Sequence, residues 1–308
     1  MQLQANLKQT EYSPMETHNM YQICTKADFK KLIPHLIKDE DLYLQISSML
    51  LHQNKFYFPK KEKHLIATLT TSTNQLISVA LLGASQELYI CSKKPIPIEA
   101  FAFLLQLQIK TYGNIATLFC RPTLQKDLFD LLMSYLKKKD LSYHCQKYYS
   151  MMIDSALFSS YKKKDNWFSI SYNHKKYQKQ LYELHAHYLQ EEVYRHNPLS
   201  FSDAVAIAPS LLQNQLVAVA YHEQKLIGKV NTNLRGYQIV QLGGIYTKQE
   251  ARKKGVASAL LTSIGKRLSS YYNAISLFAR QENRSAINLY QMVGFSIIGD
   301  LEIYYIDR

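Results

Sequence analysis

The chain has 308 residues, with 37 lysines and arginines against 24 aspartates and glutamates and a formal net charge of +13. That length predicts two domains of ordinary size, each able to bury a core. No stretch approaches the ~18 apolar residues of a membrane span, and the polar opening from Met1 to Tyr21 has no signal-peptide core, so a cytoplasmic protein is expected.

The first predicted elements are the two strands of a hairpin, Asn74 to Leu81 and Glu87 to Cys91. A helix, a short strand from Ala116 to Cys120, a second helix and a final strand region follow. After Cys91 the chain reads Ser92-Lys93-Lys94-Pro95-Ile96-Pro97-Ile98-Glu99. Its two prolines remove backbone donors and no glycine turn is present, so this half offers no site for a pyrophosphate. Cys24, Cys91, Cys120 and Cys145 are widely separated and include no C-x-x-C pair; they read as reduced thiols, two of them in apolar strands. The runs Lys137 to Lys139 and Lys162 to Lys164 contain only lysine. Without a helix-turn-helix, zinc-finger or RNP-like pattern beside them, they read as solvated faces, and nucleic acid is not expected as a partner.

Ser155 to Asn166 carries serines and lysines without apolar periodicity, which places a boundary between domains 1–160 and 161–308. The second domain is predicted to open with a strand at Trp167 to Ile170 and a long helix from about His174 to Tyr194. Pro198 and Pro209 then punctuate a loop-rich segment suited to substrate contacts. In the helix, Glu192 shares its phase with Leu181 and Leu184 and should emerge near the apolar face, whereas Glu191 should point elsewhere. A carboxylate at that place suits proton removal; a helix-end glutamate bonded to backbone or to a lysine fits the same position. His185 and His187 lack the i, i+4 spacing of helical metal ligands and read as solvated or packing residues.

A second hairpin, Gln224 to Val230 and Gln238 to Leu242, repeats the first. It too is followed by a helix, a short strand (Ile275 to Ala279), a helix and a final strand. The copies differ at the turn. Here Arg252-Lys253-Lys254-Gly255-Val256-Ala257 separates the apolar run Ile239 to Tyr246 from a helix with Val256, Leu260, Ile264 and Leu268 along one side. Backbone N–H groups at a helix start are unpaired and partly positive, so such a turn is a site for a pyrophosphate. Further on come Asn283, Ala286, Leu289-Tyr290 and Gly294-Phe295. Ala286, Leu289, Tyr290 and Val293 recur at helical spacing, so from spacing alone Tyr290 is a core residue and Gly294 a helix-end glycine.

The pattern Arg/Gln-x-x-Gly-x-Gly/Ala at 252–257 resembles the acetyl-CoA-binding signature of the GNAT superfamily of N-acetyltransferases. Asn-x-x-Ala-x-x-Leu-Tyr-x-x-x-Gly-Phe at 283–295 resembles its second signature and matches at every named position. The resemblance implies an α/β (α+β) fold of two tandem GNAT-like domains, each a mixed, mostly antiparallel sheet flanked by helices. The half 1–160 would be a degenerate copy without the CoA turn, and 161–308 the catalytic domain. Implied contacts to acetyl-CoA, a co-substrate, are Leu242, Gly243, Gly244, Ile245, Tyr246, Arg252, Lys253, Lys254, Gly255, Val256, Ala257, Ser258 and Asn283. Tyr290 would protonate the departing thiolate and Glu192 would serve as base, with no metal. The implied acceptor is a primary amine, first a small molecule or amino acid, attacking directly in a ternary complex. A protein N-terminus or lysine is the second acceptor, and an inactive acyl-CoA sensor is the non-catalytic alternative.

Overall fold

Apolar runs of five to seven residues become strands here, and apolar residues at every third or fourth position become the buried faces of helices. The computed structural model describes residues 21–24, 26–52, 65–71, 73, 75–83, 86–121, 124–160, 167–173, 175–195 and 199–307. Residues 1–20, Asn74, the boundary residues 161–166 with the Lys162 to Lys164 run, His174 and Pro198 lie outside them.

In chain order the first elements are β1 (Gln22–Ile23), α1 (Lys26–Lys38), α2 (Glu40–His52), β2 (Leu65–Thr70), β3 (Leu76–Leu82) and β4 (Glu87–Ser92). Then come α3 (Ile98–Tyr112), β5 (Thr117–Arg121), α4 (Lys126–Lys138) and β6 (Ser142–Asp154). The second run is β7 (Ser169–Ser171), α5 (Gln178–Tyr188), α6 (Phe201–Leu212), β8 (Val217–His222), β9 (Lys225–Arg235) and β10 (Ile239–Thr247). It closes with α7 (Val256–Leu268), β11 (Ala274–Arg280), α8 (Arg284–Val293) and β12 (Ser296–Asp307). The fold is the expected mixed α/β type, mostly antiparallel and flanked by eight α-helices among the described residues. The order strand, strand, helix, strand, helix, strand occurs twice, from β3 and again from β9. In both copies the second and third strands pair in parallel, β4 with β5 and β10 with β11. No helix among the described residues is long and apolar enough to cross a membrane.

Two compact units result, and neither is one continuous stretch. One takes the described residues of Met1–His35, Phe58–Gln146 and Glu302–Arg308, the other those of Leu36–Tyr57 and Lys147–Leu301. In the first unit, β1 to β5 pair in sequence order, and Glu302 to Tyr305 of β12 add antiparallel to β5. Phe101, Leu104 and Leu105 of α3 and Leu128, Leu132 and Leu136 of α4 bury against this sheet. Cys91 and Cys120 are buried there as free thiols, and burial pushes the Cys91 thiol up to about 12, which leaves it inert at neutral pH.

In the second unit the strand order is β6, β11, β10, β9, β8, β7, with β6 contributing Tyr148 to Asp154. The last strand of each half in sequence thus completes the sheet of the other unit. Helix α7 lays its predicted stripe, Val256, Leu260, Ile264 and Leu268, into the main core of this unit. Helix α2, far away in sequence, also belongs to it. The buried carboxylate of Glu40 accepts the backbone N–H of Tyr237 at 2.7 Å, Gln238 at 2.6 Å and Ile239 at 2.8 Å, the turn that joins β9 to β10.

Candidate active site

Strands β10 and β11 pair from Ile239 and Ala274 to Leu242 and Leu277, where their pairing ends. Strand β11 continues beside β6 as far as Arg280, while β10 goes on without it. On its other side β10 bulges: Gly243 pairs with Asn231 and Tyr246 with Lys229, so Gly244 and Ile245 together face one residue of β9. Gly244 has a φ of +57°, and a Cβ there would collide with the Oδ1 of Asn231 and the Nζ of Lys229. Glycine is therefore required for both conformation and space. Leu242 is the last residue of β10 to pair with β11, and Gly243, Gly244, Ile245 and Tyr246 continue beyond that pairing.

The chain leaves β10 through a tight turn at Gln249–Ala251 and enters the basic turn at Arg252. Lys253 and Gly255 are left-handed, at φ +59° and +81°, and Gly255 is the residue from which α7 starts. A Cβ built on Gly255 meets nothing within 4 Å, so the helix start is open. Val256 is buried beneath it, Ala257 and Ser258 are half-buried, and Arg252, Lys253 and Lys254 are exposed. Trp167 flanks the turn. Its indole N–H donates to the carbonyl of Lys254 at 3.4 Å, and the Lys254 ammonium lies 5.7 Å from its ring centre.

Asn283 is the N-cap of α8, its side-chain oxygen accepting the N–H of Ala286 at 3.1 Å. Its amide nitrogen is the group that can donate to a ligand. Gly294 ends the helix in a left-handed conformation at φ +111°, as its place in the motif predicts. Tyr290 is buried and meets Phe295 edge-on at 6.2 Å between ring centres. Burial, then the nearby Tyr188 and Glu192, raise its pKa, so the phenol holds its proton at neutral pH.

The predicted helix from His174 to Tyr194 is regular only to Tyr188; Leu189–Val193 is a π-helical turn, closed by the Tyr194 N–H on the carbonyl of Leu189 at 2.7 Å. A wider turn advances each side chain by a smaller angle than an α-helix does, and both neighbouring carboxylates swing toward the sheet. The expectation that Glu191 points elsewhere is thereby corrected. Its carboxylate accepts the hydroxyl of Tyr246 and pairs with Arg252 at 2.7 Å. Burial pushes the Glu191 carboxyl up, but the bonds from Tyr246 and Arg252 outweigh it and the net direction is down. Arg252 is held further by the carbonyl of Thr247 at 2.9 Å and lies over the Tyr246 ring.

Among the described residues Glu192 pairs with Arg280, whose guanidinium is buried at the end of β11, rather than with backbone or a lysine. Burial raises the Glu192 pKa, the Arg280 charge opposes that rise, and the net direction is up. His187 is exposed beside Phe201, while His185 is buried. Neither ring nitrogen of His185 has a hydrogen-bond partner among the described residues, and burial, then Lys229, pull its pKa down to about 3. Sequence reasoning did not single out Lys229, Arg280 or Trp167 as site residues. For Lys229 a signal existed, a lone lysine within the apolar strand Leu226 to Val230.

Residues 178–295 match the model of the acetyltransferase (GNAT) family. No curated protein matches the chain by sequence. Among solved structures, that of a Drosophila protein superposes with a TM-score of 0.64 at 11% identity, over 93% of this chain and 98% of its own. A GCN5-related N-acetyltransferase from Sphaerobacter thermophilus gives a TM-score of 0.56 at 12% identity, over 92% and 94% of the two chains. One from Kribbella flavida gives 0.54 at 9% identity, over 86% and 95%. At such identities the likeness is one of fold, and this fold supports acyl transfer.

Proposed function

We propose that the segment 161–308 transfers an acetyl group from acetyl-CoA to a primary amine of a small molecule or amino acid, by direct attack in a ternary complex. The observation that carries this reading is the open, left-handed Gly255 at the start of α7, beside a strand that has parted from its parallel neighbour. N–H groups of the first turn, with Arg252, Lys253 and Lys254 around them, suit a pyrophosphate. The backbone of Leu242 to Tyr246, at and beyond the end of the pairing with β11, and the amide of Asn283 suit the pantetheine arm. The half 1–160 is read as a degenerate copy. At the matching place its α3 starts after Pro97, which has no N–H to offer.

In the reaction, the neutral amine nitrogen forms a bond to the thioester carbon and the carbon–sulfur bond breaks. Backbone N–H groups of the β10 bulge stabilise the oxyanion between these events. Glu192, its pKa raised by burial, takes the proton released by the amine, directly or through water. Tyr290 gives its proton to the leaving sulfur and recovers one afterwards. Arg280 orients the Glu192 carboxylate for the first transfer.

The test is a thermal-shift titration with acetyl-CoA on the wild type, Gly255→Ala and Gly255→Glu. Both variants lose ~1–2 kcal/mol from the left-handed backbone, but only the glutamate adds charge where the pyrophosphate sits. Ligand at 100 times its Kd stabilises the wild type and the alanine variant by about 2.7 kcal/mol, and Gly255→Glu by much less. A wild type without any shift at millimolar acetyl-CoA refutes the reading, and equal shifts in all three move the site elsewhere.

A further inference from the structure

Lys229, in the middle of β9, is fully buried. Its ammonium nitrogen donates to the Oδ1 of Asn231 at 2.9 Å and to the carbonyl of Gly244 at 2.7 Å, and it lies 4.8 Å from the ring centre of Tyr188. No carboxylate pairs with it among the described residues. Burying an amine this deeply carries a desolvation cost that an apolar chain of the same length avoids. The bonds it makes, rather than its packing, are what set it apart.

One of those bonds reaches the bulge. The carbonyl of Gly244 and the N–H of Ile245 belong to one planar trans peptide, so that N–H projects away from Lys229. It does so on the stretch of β10 beyond Leu242, where pairing with β11 has ended. A donor on the carbonyl oxygen polarises the peptide and strengthens its N–H, by roughly 10–30% for each bond in a chain. The amine packs so closely against Gly244 that a Cβ there would collide with it.

We infer that Lys229 is a positioning residue for acyl transfer: through the Gly244–Ile245 peptide it fixes the bulge and strengthens the Ile245 N–H as the donor to the thioester carbonyl. The inference rests on the acetyl-transfer reading. Burial holds the Lys229 pKa well below the usual lysine range, and a neutral amine still has the two donors that these bonds use.

The experiment is infrared spectroscopy of acetyl-CoA, isotopically labelled at its carbonyl, bound at saturation to the wild type, Lys229→Met, Lys229→Leu and Asn231→Ala. No amine acceptor is needed. In the wild type the carbonyl band lies below that of free acetyl-CoA, as expected of a polarised thioester. In both Lys229 variants it returns most of the way to the free position, while binding persists through the intact turn at Arg252 to Ser258. Asn231→Ala keeps the lysine and its bond to Gly244, and keeps the wild-type band. Unchanged bands in the Lys229 variants overturn the inference. So does an equal loss in Asn231→Ala, or loss of acetyl-CoA binding in both Lys229 variants, since either would make the lysine a packing element. A wild type that binds no acetyl-CoA overturns the acetyl-transfer reading, and this inference with it; a wild type that binds with bands equal to its variants leaves that reading standing.

Discussion

Replacing Glu40 by alanine should destabilise the second unit severely, although the residue lies far from the basic turn in sequence. Its carboxylate accepts three backbone N–H groups at 2.6 to 2.8 Å across the β9–β10 turn. Hydrogen bonds to a charged group contribute ~1.5–3 kcal/mol each, and their simple sum is an upper bound because the turn relaxes and the carboxylate no longer needs to be desolvated. The three backbone N–H groups left without this acceptor cost ~1–3 kcal/mol each where water does not reach them, so a loss on the order of 3–5 kcal/mol is expected after the turn relaxes. For a unit of this size that lowers the Tm by roughly 6–20 °C.

Gly236 supplies an independent check. A Cβ at that position would lie 2.6 Å from the Glu40 carboxyl carbon and 2.8 Å from a methyl of Leu44. Gly236→Ala should therefore cost about 1–3 kcal/mol by overpacking, and less once Glu40 is alanine, with a coupling on the order of 1 kcal/mol. Urea unfolding followed by the fluorescence of Trp167, the chain's single tryptophan, reports on this unit. A loss below about 1 kcal/mol for Glu40→Ala, or additive effects of the two substitutions, would refute the reasoning.

Tyr290→Phe should lower kcat by about 10–100-fold and leave the KM for acetyl-CoA unchanged; general acids contribute up to ~10⁴-fold, but a thiolate with an ordinary thiol pKa near ~8.5 departs readily without one. Steady-state release of free CoA measures this, and an unchanged kcat removes Tyr290 from the mechanism. Arg280→Gln strips Glu192 of its opposite charge, so its carboxyl titrates higher still and the acid limb of the kcat/KM profile moves to higher pH by about 1–3 units; a limb that stays in place excludes Glu192 as the base. His185 is neutral when folded, with a pKa of about 3 against ~6.5 when unfolded. The unfolded chain therefore binds the extra proton, and stability is lost as pH falls below ~6.5, by about 2 kcal/mol between pH 7 and 5. His185→Leu should flatten that part of the urea-midpoint profile, and an unaltered slope would mean that another group causes it.

Much of the site was legible because its signals are local. The stripe Val256, Leu260, Ile264 and Leu268, the left-handed Gly255 and Gly294, and the hairpin strands follow from turn chemistry and periodicity within a few residues. Glu191 was misplaced because a π-helical turn leaves no periodic trace in five residues, yet it alters which way two carboxylates point. Lys229 is ambiguous in sequence, since a lysine in a strand is ordinarily solvated and only the bulge of β10 supplies its acceptors.

The sequence by itself determined the two-copy order of elements, the glycine turn and the Asn283 to Phe295 motif, all set by backbone preferences that act between near neighbours. Tertiary structure alone decided that β6 pairs with β11 and β12 with β5, that α2 braces the β9–β10 turn, and that Glu191, Glu192, Lys229 and Arg280 gather around the parted strands. An alternating strand pattern says which face is buried but not which edge it joins. A charged side chain likewise carries no mark of its partner until packing removes the water that would otherwise satisfy it.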